Sequence, residues 1–361
     1  MVIDGLELEN LLAPIAGDLP SGIDIRNDFS PASLYFRLRD ARSEARAAER
    51  AADANPGSEA GVADGWRTVR ATALKILTEH SKDLEVAAWL TEALVRSDGL
   101  VGLCFGAQLI EGLASGFWDQ LYPMPDEDGI ATRVAPVTGL NGEGGDGTLI
   151  QPLQKLKLFN GPTGEPLYLF QYEQSAELAT ITDEKRIEGR LKAGVLPFAT
   201  VEAAARAAGS GVFVGLNSAL QEALAAWRAM GETLDRLAGP DSPPTRRVAD
   251  VLENLASIIK PYLPPDVGAA AEVTQPEAAD AVTGDGGGAK RGKLATREDA
   301  LHQLSEIAAF FKKNEPQSPM AYTLEDAIRR GRMSWPELLK EVVRDESLRN
   351  NILTGLGIQP G

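Results

Sequence analysis

The segment Ser81-Lys-Asp-Leu-Glu-Val-Ala-Ala-Trp-Leu-Thr-Glu-Ala-Leu-Val95 leaves little choice of architecture. Ser81 can cap a helix start and Asp83 falls in its positive first turn, while Leu84 to Val95 is apolar almost all round, Trp89 and Leu90 included. Such a helix has no face to give to water and belongs inside a bundle. Upstream, Asp64 to His80 carries Trp66, Val69, Ala73, Leu74 and Leu77 at spacings of three and four, which gather on one buried face. Downstream, Leu103, Ile110, Phe117 and Leu121 keep helical spacing after Gly99 until Tyr122-Pro-Met-Pro125 ends it, because proline lacks the donor a helix needs. The spacing predicts an antiparallel helical unit up to about Pro123.

Working outward, the first thirty residues read as an irregular acidic arm, with Leu11-Leu-Ala-Pro-Ile15, then Pro20-Ser-Gly22, then alternating Asp24, Arg26 and Asp28. A charged, Ala-rich and Arg-rich helix is expected from Ser33 to Ala52, stopping near Asn55-Pro-Gly57. Asn141 to Gly147 is a Gly-rich loop, and Leu153–Phe159 and Leu167–Tyr172 can pair as a small hairpin. Helices resume near Val201, with long candidates over Val214–Leu237 and Arg246–Tyr262. Between Pro264 and Lys290 the chain turns to Ala, Gly, Pro, Asp and Thr, the composition of a flexible linker. Beyond it Thr296 with Asp299, Thr323 with Asp326, and Ser334 with Glu337 are capping-box pairs, so three or four short helices should follow. The first carries Leu301, Leu304, Ala308 and Phe311 on one stripe. The expected class is all-α: an N-terminal helical domain over 1–160, a helical middle region over 161–263, a linker over 264–292 and a small helical oligomerisation domain over 293–361.

Composition narrows the chemistry. The 361 residues hold 36 Lys and Arg against 52 Asp and Glu, a formal charge of -16, the wrong sign for holding a phosphate backbone, so nucleic acid is excluded as a partner. From Lys293 to Gly361, however, ten basic residues face ten acidic ones, so copies of this tail can pack without self-repulsion. No signal peptide marks the start, and the apolar stretch from Leu100 to Ile110 stops at Glu111, short of the roughly 20 residues that span a bilayer. The single cysteine, Cys104, permits no internal disulfide and reads as a small buried hydrophobe in a reducing cytosol.

Catalytic patterns are missing. Gly287-Gly-Ala-Lys-Arg-Gly-Lys293 has the phosphate-loop spacing, but Leu294 stands where a magnesium-binding Ser or Thr is needed. The Gly-rich loop at Asn141 lacks a preceding strand and carries acids that would repel a phosphate. His80 and His302 lie far apart and build no metal spacing. No enzyme activity, cofactor or metal is expected.

Taken together, Pro20-Ser-Gly22-x-Asp24-x-Arg26-x-Asp28, Trp66, Ser81-Lys-Asp83, Ala88-Trp89-Leu90, Gly102-Leu103, Gly112-Leu113 and Trp118-x-x-Leu121-Tyr122-Pro123 resemble the ImpA N-terminal domain of TssA proteins of the bacterial type VI secretion machine. Glu315-Pro316-x-Ser318-Pro319, followed by Leu324, Ala327 and Met333-x-Trp335-x-x-Leu338-Leu, resembles the tail motif of the shorter class of that family. The resemblance implies a cytoplasmic protein that forms a ring-like homo-oligomer through its C-terminal region and meets the baseplate, the Hcp tube and the contractile sheath. It marks Pro20, Gly22, Asp24, Arg26, Trp89, Trp118, Tyr122 and Pro123 as the interaction or structural motif. Leu304, Phe311, Glu315, Pro316, Ser318, Pro319 and Trp335 are the oligomerisation candidates.

Each of these residues also has a plainer reading. The tryptophans at helical spacing are core aromatics, Arg26 with Asp24 and Asp28 is a local ion cluster fixing the arm, and the Glu-Pro-x-Ser-Pro run is a helix stop. A monomeric helical adaptor and a hydrolase built on unrecognised carboxylates are the rival functions; no fixed repeat period supports the first.

Overall fold

The all-α expectation holds in the computed structural model, which describes residues 3, 6–54, 62–264, 297–314, 319–333 and 341. The chain divides into two compact units, Met1–Pro276 and Glu277–Gly361. In the first, α1 (Leu8–Leu12), α2 (Leu34–Ala54), α3 (Val62–Glu79), α4 (Leu84–Phe117), α5 (Ile130–Asn141) and α6 (Ile150–Gln154) precede a hairpin of β1 (Lys157–Asn160) and β2 (Pro166–Tyr168). Then come α7 (Leu169–Thr180), α8 (Glu184–Lys192), α9 (Phe198–Ala208), α10 (Ser210–Ala238) and α11 (Arg246–Ile259).

The centre is α4, apolar and buried over most of its surface. It is not straight: at Gly99 the backbone takes φ 58° and ψ −127°, and the chain folds back on itself. Two further glycines let the arms close up. A Cβ on Gly102 would lie 2.1 Å from the Leu94 carbonyl oxygen, and one on Gly106 would lie 2.4 Å from the Thr91 hydroxyl. By length and composition the run Leu84–Gln120 could cross a membrane, but its reversal and burial make it the core hairpin of this unit.

Around it pack α3, which buries Trp66, Val69, Ala73, Ile76 and Leu77, and α10, which buries Phe213, Leu220, Leu224, Trp227 and Leu234. One apolar core runs without interruption from Ile3 to Ile259. α11 closes it with Val248, Leu252, Leu255 and Ile259, and the buried Asn141 side chain accepts the Val248 N–H at 3.0 Å, one of the donors the first turn of α11 leaves free. Cys104 is buried in this core.

Some expectations shift. The hairpin forms, but with shorter strands than the sequence suggests. Leu153 belongs to α6, and Leu169 to Tyr172 start α7, whose first turn is closed by Gln171 accepting the Tyr168 N–H. Five helices, α1, α5, α6, α7 and α8, occupy stretches where none is expected.

In the second unit α12 (Arg297–Asn314) and α13 (Pro319–Arg332) pack as a pair. Leu301, Ala308, Ala321 and Ile328 are buried, and Lys312 meets Glu325 at 2.8 Å. Thr323 does not begin a helix: α13 already starts at Pro319, so Thr323 lies in its interior. The linker, the Gly287–Lys293 run, and the pair Ser334 and Glu337 lie outside the described residues.

Candidate functional site at the arm junction

The motif residues of the first unit meet around Ser81-Lys82-Asp83, which behaves as the middle strand of a three-piece junction. On one side Gly22 bridges Ser81: Ile23 donates its N–H to the His80 carbonyl at 3.0 Å and Lys82 donates its own to Ser21 at 2.8 Å. On the other, Tyr122 donates to the Lys82 carbonyl at 3.1 Å and accepts from Leu84 at 2.7 Å. Gly22 sits at φ 73°, where a Cβ would be 2.0 Å from the His80 oxygen, so the close approach of arm and core requires glycine.

Asp83, not Ser81, caps α4. The residue just before the helix is the one whose side chain can reach its free donors, and Asp83 accepts from Glu85 N–H at 2.8 Å and Val86 N–H at 3.1 Å. The Ser81 hydroxyl is buried without a hydrogen-bond partner among the described residues. Lys82 turns inward, fully buried, and its ammonium donates to the carbonyls of Leu11 and Leu77, each at 2.7 Å. Those carbonyls belong to the closing turns of α1 and α3, where the helix dipole favours a cation. Burial pushes the ammonium down to about 8.

Arg26 binds the arm to this frame. Its guanidinium contacts Asp83 at 2.7 Å, Glu85 at 2.7 Å and Asp24 at 3.2 Å. Burial works against its charge, but Asp83 and Glu85 together hold it above the ordinary arginine range. Asp28 does not join the cluster and instead accepts from the Ser30 N–H. The layer continues along α2. Arg26 lies over Tyr35, Tyr35 stacks on Trp89, and Arg42 covers Trp89 while forking onto the buried Glu92 at 2.7 and 3.0 Å. Arg96 forks onto Glu49 and lies 3.9 Å from the centre of the Trp66 ring.

Of the candidate residues, Gly22, Asp24, Arg26 and Tyr122 are thus brought together, and Trp89 lies in the adjoining aromatic layer. Pro20 stands exposed at the rim. Trp118 and Pro123 are half-buried in a neighbouring patch gathered by Arg133, which donates to the Trp118 carbonyl at 2.6 Å and the Pro123 carbonyl at 3.2 Å, beneath the Trp118 ring. Arg133 was missed because a single arginine in an apolar helix carries no spacing signal. Leu304 and Phe311 are half-buried in the second unit, whereas Ile307, Phe310 and Tyr322 on the same helix pair stand exposed. Pro319 begins α13; Glu315, Pro316, Ser318 and Trp335 lie outside the described residues.

Chemically the junction is a clasp. Its amine, Lys82, is sealed from solvent and occupied by two carbonyls, and its carboxylates are taken up by Arg26 and by helix donors. Among the described residues no group of three His, Cys, Asp or Glu could hold a metal. The fold and site define a helical head whose long arm is clamped to a central hairpin.

Comparison with known proteins shows what this head is similar to. Residues 12–142 match the family described as ImpA, N-terminal, type VI secretion system. The whole chain is 28% identical to the type VI secretion system component TssA1 of Pseudomonas aeruginosa over 348 residues, covering 94% of this chain and 96% of that protein. A solved structure is also similar: the N-terminal domain, including the conserved ImpA_N region, of the TssA component from Burkholderia cenocepacia. It aligns with a TM-score of 0.58 and 27% identity, covering 73% of this chain and 97% of that one. Residues 12–142 are therefore similar to the ImpA N-terminal domain, and the chain as a whole is similar to TssA components of type VI secretion systems.

Proposed function

We propose that the protein is a structural scaffold rather than an enzyme, a cytoplasmic ring-like homo-oligomer that helps the baseplate, Hcp tube and sheath of the type VI secretion apparatus assemble. The observation that carries this reading is the end-to-end likeness to a type VI secretion component, which runs through both units. Residues 293–361 form the self-associating module. They are charge-balanced, and α12 and α13 leave Ile307, Phe310 and Tyr322 in solvent next to the half-buried Leu304 and Phe311. The Glu315-Pro316-x-Ser318-Pro319 motif and Trp335, which resemble the shorter class, complete that module. The helical head, held by its arm clasp and tethered through 264–292, presents Pro20, Trp118 and Tyr122 to partners, and many copies on one ring raise its effective concentration.

Light scattering after gel filtration of the full chain tests the reading. The wild type should run as a large multimer, and Ile307→Asp with Phe310→Asp should lower its mass while helical content by circular dichroism stays unchanged. A wild-type chain that stays monomeric at high concentration sinks the proposal.

A further inference from the structure

Away from the arm clasp, α2 carries Arg42, Arg46 and Arg50 four residues apart on one face, and Arg96 of α4 joins them. Two of the four are fully committed. Arg42 holds both oxygens of Glu92, which also accepts the Thr148 hydroxyl at 2.7 Å, and Arg96 holds both oxygens of Glu49. Arg46 and Arg50 have no hydrogen-bond or ion-pair partner among the described residues. Between them lies a small cavity of about 120 Å³ lined by Arg46, Glu49, Arg50 and Arg96, by Gly147 and Thr148 of the loop before α6, and by Gln151 of α6. Asp146, in the adjoining loop, pairs with Arg247 at 3.1 Å.

The charge does not close. Four guanidinia against two carboxylates leave a surplus of two positive charges in a protein whose net charge is -16. Arg46 is half-buried; burial pushes its guanidinium below the ordinary range, Glu92 pulls it back, and Arg42, Arg50 and Arg96 push it down further. Such a surplus is costly unless an anion completes it. Planar guanidinium forks match phosphate oxygens in pairs, and a dianion balances two charges where a single carboxylate balances one.

We propose that this cavity is a binding site for a phosphate monoester dianion, held by Arg46 and Arg50. The oxygens of the ligand accept from the two free guanidinia, while the Arg42–Glu92 and Arg96–Glu49 pairs set the walls and keep the site from collapsing.

The test is calorimetric titration of the full chain with three probes: inorganic phosphate, a phosphoserine peptide and a nucleoside monophosphate. At least one should bind saturably, one per chain, and the tightest names the source of the group: the free ion, a modified protein or a small metabolite. Arg46→Gln with Arg50→Gln should weaken that binding at least about tenfold, as loss of a charge-assisted contact does. Arg39→Gln, exposed and paired with Asp40, should leave it unchanged. Circular dichroism checks that the double variant is folded; should it fail to fold, the exposed Arg50→Gln alone must still weaken binding severalfold. No saturable binding by any probe, or undiminished binding in the folded arginine variants, overturns the proposal.

Discussion

Lys82 shows how a single residue can be both buried and needed. Burial pushes its ammonium to about 8 from an ordinary 10.5, so between those values the unfolded chain holds a proton the folded chain has shed. The cost of burying the charge is therefore fully present below about 8, and stability rises with pH as it is relieved. Lys82→Met should remove that rise: in urea unfolding at about pH 7.5 and about pH 10, the wild type should gain on the variant at the higher pH. Parallel pH profiles would show that the lysine does not titrate there. Arg26 and Ser81 supply the contrast. Removing Arg26 leaves Asp83, whose side chain has no exposure, without its cation, and Arg26→Ala should cost about 3 kcal/mol. Ser81→Ala, which deletes a hydroxyl with no partner, should stay within about 0.5 kcal/mol by chemical denaturation, although both residues belong to the same motif block. The sequence placed Arg26 in an ion cluster but could not choose its partners. Asp83 and Glu85 lie 57 and 59 residues away, whereas Asp28, the near neighbour, takes no part.

Elements were legible where their periodicity was strong. α2, α3, α10 and α11 begin and end close to where apolar spacing and Asn55-Pro-Gly57 put them. α5 was not legible, because Pro136 and Gly139 weaken its local preference; it forms since Val134, Val137 and Leu140 are buried against the core, a tertiary override of propensity. α8 had a usable signal, Asp183 capping its start and Arg190 and Lys192 in its last turn. The reversal in α4 is the decisive case at this scale. Gly102→Ala would drive a Cβ into the Leu94 carbonyl, where no side chain can swing aside, and should cost about 1–3 kcal/mol in thermal unfolding. Gly116→Ala, in the same run but with nothing within 4 Å, should be neutral or stabilising by up to about 1 kcal/mol. Equal effects at both positions would mean that the two arms do not pack as closely as described.

At the scale of the molecule, the first unit cannot be cut after Asn160 without loss. Phe159 packs on Phe213 of α10 at 5.7 Å, and the α4 hairpin buries itself against α10. A fragment of residues 1–160 would expose that apolar face and should lose its cooperative thermal transition, while residues 1–264 should keep one. A sharp transition in the shorter fragment would show that the helices after Asn160 are dispensable to the core. By itself the sequence determined the helical class, the acidic head and charge-balanced tail, and the absence of a recognisable catalytic pattern, because composition and short-range periodicity are local properties. Only the tertiary structure decided that the apolar run turns back at Gly99, that Asp83 rather than Ser81 caps α4, and that Lys82 ends buried between two helix termini. It alone joined residues on both sides of the hairpin in one core. These depend on which backbone groups and charges meet across long separations, and no local pattern encodes that.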